Sequence, residues 1–318
     1  MARYVRVSAI SMLSGLRKHA HNFEEAVRER MDYWRMEIDK VLPDKPDIIL
    51  LTEYCDSPSM NISPKEEIAY YQYRGDRILD FFMETARNNG MYIAYPAYME
   101  EAGVRRNTTR IIDRSGHVVG LYHKNHLVTE EMTEYGMICG SEASLIECDF
   151  GTVGPVICYD LNFDRIRMQY VRLKPDLLLF SSYFHGGLMQ RYWAYSCRAY
   201  FVGSVLDDAC SVIAPTGEVI ASGTNYFNNV TANLNLDSKL AHFDCNREKF
   251  QALKSKYGTG VKFSEPGHLG SVLISNEMEA VTVEDLFKEF EIECLDDYFH
   301  RAQALQQEFR GSVSQTNQ

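Results

Sequence analysis

An α/β fold is the class this sequence predicts, on three observations. Segments with strand patterning alternate with segments of helical spacing from the first residues onward. Several strand candidates are short and wholly apolar, as expected of strands covered on both faces. The composition, 45% hydrophobic and 24% charged over 318 residues, is that of a chain able to bury a large core unaided.

The elements follow in order. Tyr4–Ile10 alternates as a strand. Phe23, Ala26, Val27, Arg30, Met31, Trp34, Ile38 and Val41 recur at helical spacing, and the helix must stop before Pro43, whose ring blocks continuation. Residues 47–51, Asp-Ile-Ile-Leu-Leu, read as a buried strand. A second helix is expected over 74–88, ended by Asn89-Gly90, and a strand over 91–98. Residues 108–113 and 118–122 form a hairpin around Arg114-Ser115-Gly116, and 145–148 and 153–158 a second around Phe150-Gly151. An amphipathic stretch at 166–173 leads past Pro175 to a strand at 176–180, then a helix at 189–199. Short strands follow at 201–206, 211–214, 219–221 and 230–236. Beyond Leu240, Gly258, Gly260, Pro266, Gly267 and Gly270 mark loops, and 284–307 reads as one long helix. Residues 1–240 are therefore expected to form one domain. Residues 241–318 are expected to be an extension with too few apolar residues for its own core, serving as a subunit contact. Periodicity leaves a doubly wound sheet, a barrel and a layered sandwich all open.

Thirty-three basic against 44 acidic residues give a net charge of −11, which argues against a broad nucleic-acid or anionic-membrane surface. No apolar run reaches the ~20 residues that span a bilayer, and the first residues lack the apolar stretch of a signal peptide. Eight scattered cysteines, without a close pair, favour a reduced, cytoplasmic protein over a disulfide framework or zinc knuckle. The nine histidines show no metal-ligand pairing. The sequons at Asn107 and Asn229 are read as chance matches.

Three apolar runs end on reactive side chains: Ile48–Thr52 on Glu53, Val118–His123 on Lys124, and Gly154–Ile157 on Cys158. Ligands of α/β proteins sit beyond the carboxyl ends of parallel strands. A carboxylate, an ammonium and a thiol gathered there suffice for acyl transfer: a thiol nucleophile, a base to take its proton, and a cation for the oxyanion.

These segments resemble those of the nitrilase superfamily of carbon–nitrogen hydrolases. Leu50-Leu51-Thr52-Glu53-Tyr54 is similar to its glutamate motif. Residues 107–116 followed by Leu121-Tyr122-His123-Lys124-Asn125-His126-Leu127 resemble its lysine motif, and residues 156–163, Val-Ile-Cys-Tyr-Asp-Leu-Asn-Phe, its nucleophile motif. Residues 175–182 and Cys197-Arg198-Ala199 match what normally follows, so the resemblance covers roughly residues 4–236. Asp164-Arg165 departs from the usual Pro-Glu pair.

The resemblance implies a four-layer α-β-β-α sandwich, cofactor-free hydrolysis of a non-peptide carbon–nitrogen bond, and a homodimer or higher homo-oligomer. It implies Glu53 as general base, Lys124 as transition-state cation, Cys158 as nucleophile and the Tyr159 amide as a second oxyanion donor. A second glutamate is expected shortly after the lysine. Glu130, Glu131 and Glu134 compete for that place, and Glu134 is preferred because residues 134–140 resemble the segment that closes on a turn. Tyr159-Asp160 after the nucleophile favours an amide or carbamoyl-amide substrate over a nitrile. Tyr54, Tyr159, Ser182, Tyr183, Phe184 and His185 are candidate substrate contacts. Nitrile hydrolysis, thiol-dependent N-acyl transfer and a non-catalytic binding subunit are the competing functions.

Overall fold

The computed structural model describes residues 1–14, 20–224, 226–265 and 268–316, with side chains through residue 310. Pro266-Gly267, expected to mark a loop, lies outside the described residues. The chain divides into two compact units, one of residues 5–234 and one of residues 1–4 with 235–318.

The larger unit is built on two six-stranded sheets. The first contains β1 (Tyr4–Ile10), β2 (Ile48–Leu51), β3 (Tyr92–Glu101), β4 (Val104–Ile112), β5 (Val118–His123) and β12 (Asn229–Asn235), in the order β12-β1-β2-β3-β4-β5. β1, β2 and β3 run parallel, with Val7 opposite Ile48 and Ile48 opposite Tyr92. β4 and β5 fold back as antiparallel neighbours. The second sheet contains β6 (Ile146–Cys148), β7 (Gly151–Ile157), β8 (Leu177–Ser182), β9 (Tyr200–Val205), β10 (Ser211–Ile213) and β11 (Val219–Ser222), in the order β11-β10-β9-β8-β7-β6. Its centre, β7-β8-β9, is parallel, with Val153 opposite Leu177 and Leu177 opposite Tyr200.

The wholly apolar strands are explained by cover on both faces. Side chains alternate along a strand. In β2, Ile49 and Leu51 join the core under α1 (Phe23–Asp39), α2 (Pro64–Arg74) and α3 (Arg77–Asn89), with Trp34, Tyr70 and Phe82. In β8, Leu178 and Phe180 join the core under α5 (Asp164–Leu173) and α6 (Leu188–Cys197), with Ile166 and Trp193. The alternate residues Ile48, Leu50, Leu177 and Leu179, all buried, take the other faces, where the sheets meet. Serine and threonine close that interface at the strand ends: Ser181 Oγ donates to the Leu51 carbonyl at 2.8 Å, Ser204 Oγ to the Ile10 carbonyl at 2.7 Å, and Thr52 Oγ1 lies 2.9 Å from Ser204 Oγ. Each pairs a buried polar group that would otherwise be costly. The architecture is the expected α-β-β-α sandwich.

Two helix expectations are corrected. The helix expected over 74–88 is α3, and a separate α2 precedes it. Ser63, Pro64 and Glu66 start α2 with a capping box, a signal that was present in the sequence. The single helix expected over 284–307 is two, α8 (Val283–Glu289) and α9 (Leu295–Thr316), separated where Glu291 takes φ +51°.

The smaller unit also differs from expectation, in boundary and in character. It begins at Asn235 and has its own antiparallel sheet, β13-β15-β14 (Ser238–His242, Ser271–Asn276 and Val261–Ser264), with α7 (Arg247–Tyr257), α8 and α9. Ala241, Phe250, Leu253, Val261, Ile274 and Leu286 form a buried cluster. Few apolar residues stand together in the sequence; pairing of distant strands gathers them into a core.

Candidate active site

β2, β5 and β7 deliver the three reactive residues as their chains leave the sheets. Each side chain is almost fully buried: Glu53 is 1% exposed, Lys124 2% and Cys158 9%. Tyr54 and Cys158 take left-handed backbone conformations, φ +49° and +47°, which turn the chain sharply out of β2 and β7. Non-glycine residues adopt this region at a cost of ~1–3 kcal/mol. Cys158 thus stands at a strand-to-turn corner, ahead of a 3-10 turn over Cys158–Asn162 and α5.

Lys124 is held between two carboxylates. Its Nζ donates to Glu53 Oε1 at 2.9 Å and to Glu131 Oε2 and Oε1 at 2.9 and 3.1 Å. Asn107 Nδ2 donates to both as well, to Glu53 Oε1 at 2.8 Å and Glu131 Oε1 at 2.9 Å. Tyr54 adds a hydroxyl donor to Glu131 Oε1 at 2.6 Å, and the Val128 N–H reaches Glu131 Oε2 at 2.9 Å. Burial opposes the Lys124 charge, but the two carboxylates outweigh it and hold the ammonium well above its ordinary range. Burial likewise opposes ionisation of Glu131, yet Lys124 and the hydrogen bonds of Tyr54 and Asn107 hold its carboxyl below the usual value.

Of the three glutamates that compete for the second place, the structure brings Glu131, not the preferred Glu134, to Lys124. α4 (Thr129–Thr133) is a short helix in which Glu131 turns back onto Val128 and inward to Lys124. Glu130 and Glu134 are exposed, and Glu134 caps the helix end. Lys124 is also fixed through its backbone: its N–H donates to the Asn107 carbonyl at 2.9 Å and its carbonyl accepts from Gly140 at 2.8 Å. A Cβ on Gly140 would lie 2.3 Å from the His123 carbonyl oxygen, so only glycine permits this approach.

The Cys158 thiol feels both charges. Burial and the neighbouring Glu53 carboxylate push it up to about 12, while Lys124 pulls the other way. Glu53 Oε2 accepts the Tyr183 N–H at 3.2 Å, so the end of β8 is tied to the same carboxylate. Phe184 packs on Tyr122, Ile157 and Cys158. Ser182 Oγ donates to the Phe184 carbonyl at 2.7 Å and accepts its N–H at 2.9 Å, which holds this turn beside the thiol.

The candidate substrate contacts separate into groups. Tyr54 and Tyr183 line a cavity of about 350 Å³ that Glu131 also borders. Ser182 and Phe184 lie beside the thiol and do not line that cavity. Tyr159 is 40% exposed and stands edge-on to Phe163. His185 is occupied in its own loop, with Nδ1 accepting the Gly187 N–H at 3.1 Å; neither it nor Tyr159 lines the cavity.

Two residues with positions at this site carried no expected role. Asn107, read as a chance sequon, is 1% exposed with its amide spent on Glu53 and Glu131. Asp160 is fully buried and accepts the backbone N–H groups of Asn125 (3.1 Å) and His126 (2.7 Å) and the Tyr122 hydroxyl (2.7 Å), with His126 Nδ1 at 2.9 Å. It joins the turn after Cys158 to the loop after Lys124. For Asp160 the signal was position, three places beyond the apolar end of β7; Asn107 lies inside β4 among polar residues and gave no such signal. Among the described residues, no three His, Cys, Asp or Glu side chains are grouped so as to hold a metal ion.

Two facing sheets that bury a thiol, a carboxylate and an ammonium at their strand ends are the arrangement expected of the nitrilase superfamily of carbon–nitrogen hydrolases. The carbon–nitrogen hydrolase family model matches residues 18–238, and the chain belongs to that family. Human deaminated glutathione amidase is 22% identical over 165 residues, 48% of this chain and 49% of that protein. The chain thus spans about half the length of this curated relative. Among solved structures, the NitFhit protein of C. elegans superposes with a TM-score of 0.64 at 20% identity, covering 80% of this chain and 65% of that one. A mutant of the amidase from Nesterenkonia sp. AN1, showing covalent addition of the acetamide moiety of fluoroacetamide at its active-site cysteine, superposes with a TM-score of 0.60 at 14% identity, covering 73% of this chain and 90% of that one. These likenesses are of fold.

Proposed function

We propose that this chain hydrolyses the carbon–nitrogen bond of a small amide or carbamoyl amide through a thioester on Cys158. The observation that carries the reading is the Lys124 ammonium, 2.9 Å from Glu53, with both groups acting on the one buried thiol.

At rest the sulfur is a thiol, because burial and the neighbouring Glu53 push it up to about 12. As sulfur attacks the carbonyl carbon, Glu53 takes the thiol proton, so no free thiolate need accumulate. Negative charge develops on the carbonyl oxygen, where Lys124 and the Tyr159 N–H stabilise it. Glu53 returns its proton to the departing nitrogen, and ammonia or an amine leaves. Water then attacks the thioester with Glu53 as base, releasing the acid and restoring the thiol. Glu131 holds Lys124 in place and keeps it charged throughout. The adduct on the active-site cysteine of the Nesterenkonia amidase supports sulfur as the attacking atom.

The test is Cys158→Ala assayed for ammonia release from primary amides, alongside mass spectrometry of the wild type quenched during turnover. Turnover disappears in the variant, and the wild type carries an acyl group on the peptide containing Cys158. Turnover retained by the alanine variant would falsify the assignment.

A further inference from the structure

The charged side chains that line the cavity beside the site are all of one sign. Its lining includes the rings of Tyr54, Tyr71, Tyr135 and Tyr183 and the carboxylates of Glu67 and Glu130, with Glu131 at the catalytic end and no lysine, arginine or histidine. The tyrosines do not soften this. The Tyr71 hydroxyl donates to Glu67 Oε1 at 2.7 Å, the Tyr135 hydroxyl to Glu67 Oε2 at 2.6 Å, and the Tyr54 hydroxyl to Glu131 Oε1 at 2.6 Å. Three phenol protons are thereby spent on carboxylates. What these three phenols leave toward the cavity is acceptor lone pairs and aromatic rings. Each carboxylate oxygen has a further lone pair to offer, and the π-faces of Tyr54, Tyr135 and Tyr183 attract cations; the Tyr71 ring is already stacked on Tyr98, with the Arg74 guanidinium 5.4 Å from its centroid.

We infer that this cavity selects substrates carrying a cationic group, an ammonium or guanidinium, with Glu67 as its principal counter-charge and the tyrosine rings as its walls. A substrate ending in a carboxylate would meet like charge with no partner. The inference rests on the hydrolytic reading of the Cys158 site and names the substrate class that site takes. Tyr54 and Tyr183 link the two regions: Tyr54 bonds Glu131, the Tyr183 N–H bonds Glu53, and their rings lie 6.0 Å apart at 69°.

The experiment compares three amides of matched length: 5-aminopentanamide (cationic), hexanamide (neutral) and 5-carbamoylpentanoate (anionic). Ammonia release gives kcat/KM for each. Independently, each compound is titrated for protection of Cys158 against iodoacetamide, read by mass on the peptide containing that cysteine. The cationic amide is expected to exceed the neutral one by about tenfold or more and the anionic one by a wider margin, in both readouts. In Glu67→Gln the cationic-to-neutral ratio falls by about tenfold, a ratio that does not depend on the yield of folded enzyme. Turnover of all three without charge preference overturns the inference and leaves the hydrolytic reading intact. Protection in the expected order without turnover of any compound removes the hydrolytic reading and keeps the cation site. Preference for the anionic amide, a ratio unchanged in Glu67→Gln, or no protection by any compound overturns the inference.

Discussion

Glu131 and Glu134 differ by one helical turn, yet only Glu131 meets Lys124. Glu131→Gln removes an anion that holds the ammonium charged and in place. The expected loss in kcat is on the order of a hundredfold, against less than about threefold for Glu134→Gln, measured by steady-state ammonia release. Comparable losses in the two variants would return Glu134 to the site. The thiol provides a second check. Since the Glu53 charge helps push Cys158 up to about 12, replacing it with a neutral amide leaves Lys124 acting without that opponent. The alkylation midpoint of Cys158 in Glu53→Gln therefore falls by roughly one pH unit or more while turnover is lost. A midpoint that stays or rises would show that Glu53 does not act on the thiol. The two tests also show what could be read from residues alone. Glu53, Lys124 and Cys158 were legible because each interrupts an apolar run where a strand leaves its sheet. Glu131 was not, because positions three apart share a helical face and so short a helix lacks the apolar stripe that would orient it.

Among the elements, the loops after β5 and β7 carry the most consequence, because they belong to different sheets and Asp160 fastens one to the other. In Asp160→Ala the N–H groups of Asn125 and His126 and the Tyr122 hydroxyl lose their buried acceptor together. Leaving such a set unpaired costs about 3 kcal/mol or more. Chemical denaturation should show that loss, with kcat/KM reduced as Lys124 loses its anchored neighbour; Asp160→Asn, which keeps one acceptor oxygen, should lose less. Equal stability of the alanine variant and the wild type would mean the loops are held by other contacts. Element boundaries were legible where apolar period and a breaker coincide, as at β2 or at α3 with Gly90. α2 escaped because its tyrosines blur the contrast between faces, although its capping box was written in Ser63 and Glu66. The break between α8 and α9 escaped because Phe290 and Ile292 continue an apolar pattern through a left-handed residue that no proline or glycine announces.

Across the whole molecule, the sandwich became legible through motif order, since apolar period alone does not distinguish facing sheets from a barrel. The core of the smaller unit was hidden because strand pairing between residues 238–242, 261–264 and 271–276 creates it, and a stretch-by-stretch count does not see pairing. Charge, by contrast, is visible at every level. The chain carries −11 overall, Lys124 faces two carboxylates, and the adjoining cavity adds Glu67 and Glu130. Under the proposed reaction, a neutral bond is broken and an acid is left behind, which ionises as it forms. The newborn carboxylate lies beside Lys124 but also meets the charges of Glu53 and Glu131, so like charge opposes its retention in a way the neutral substrate bond never meets.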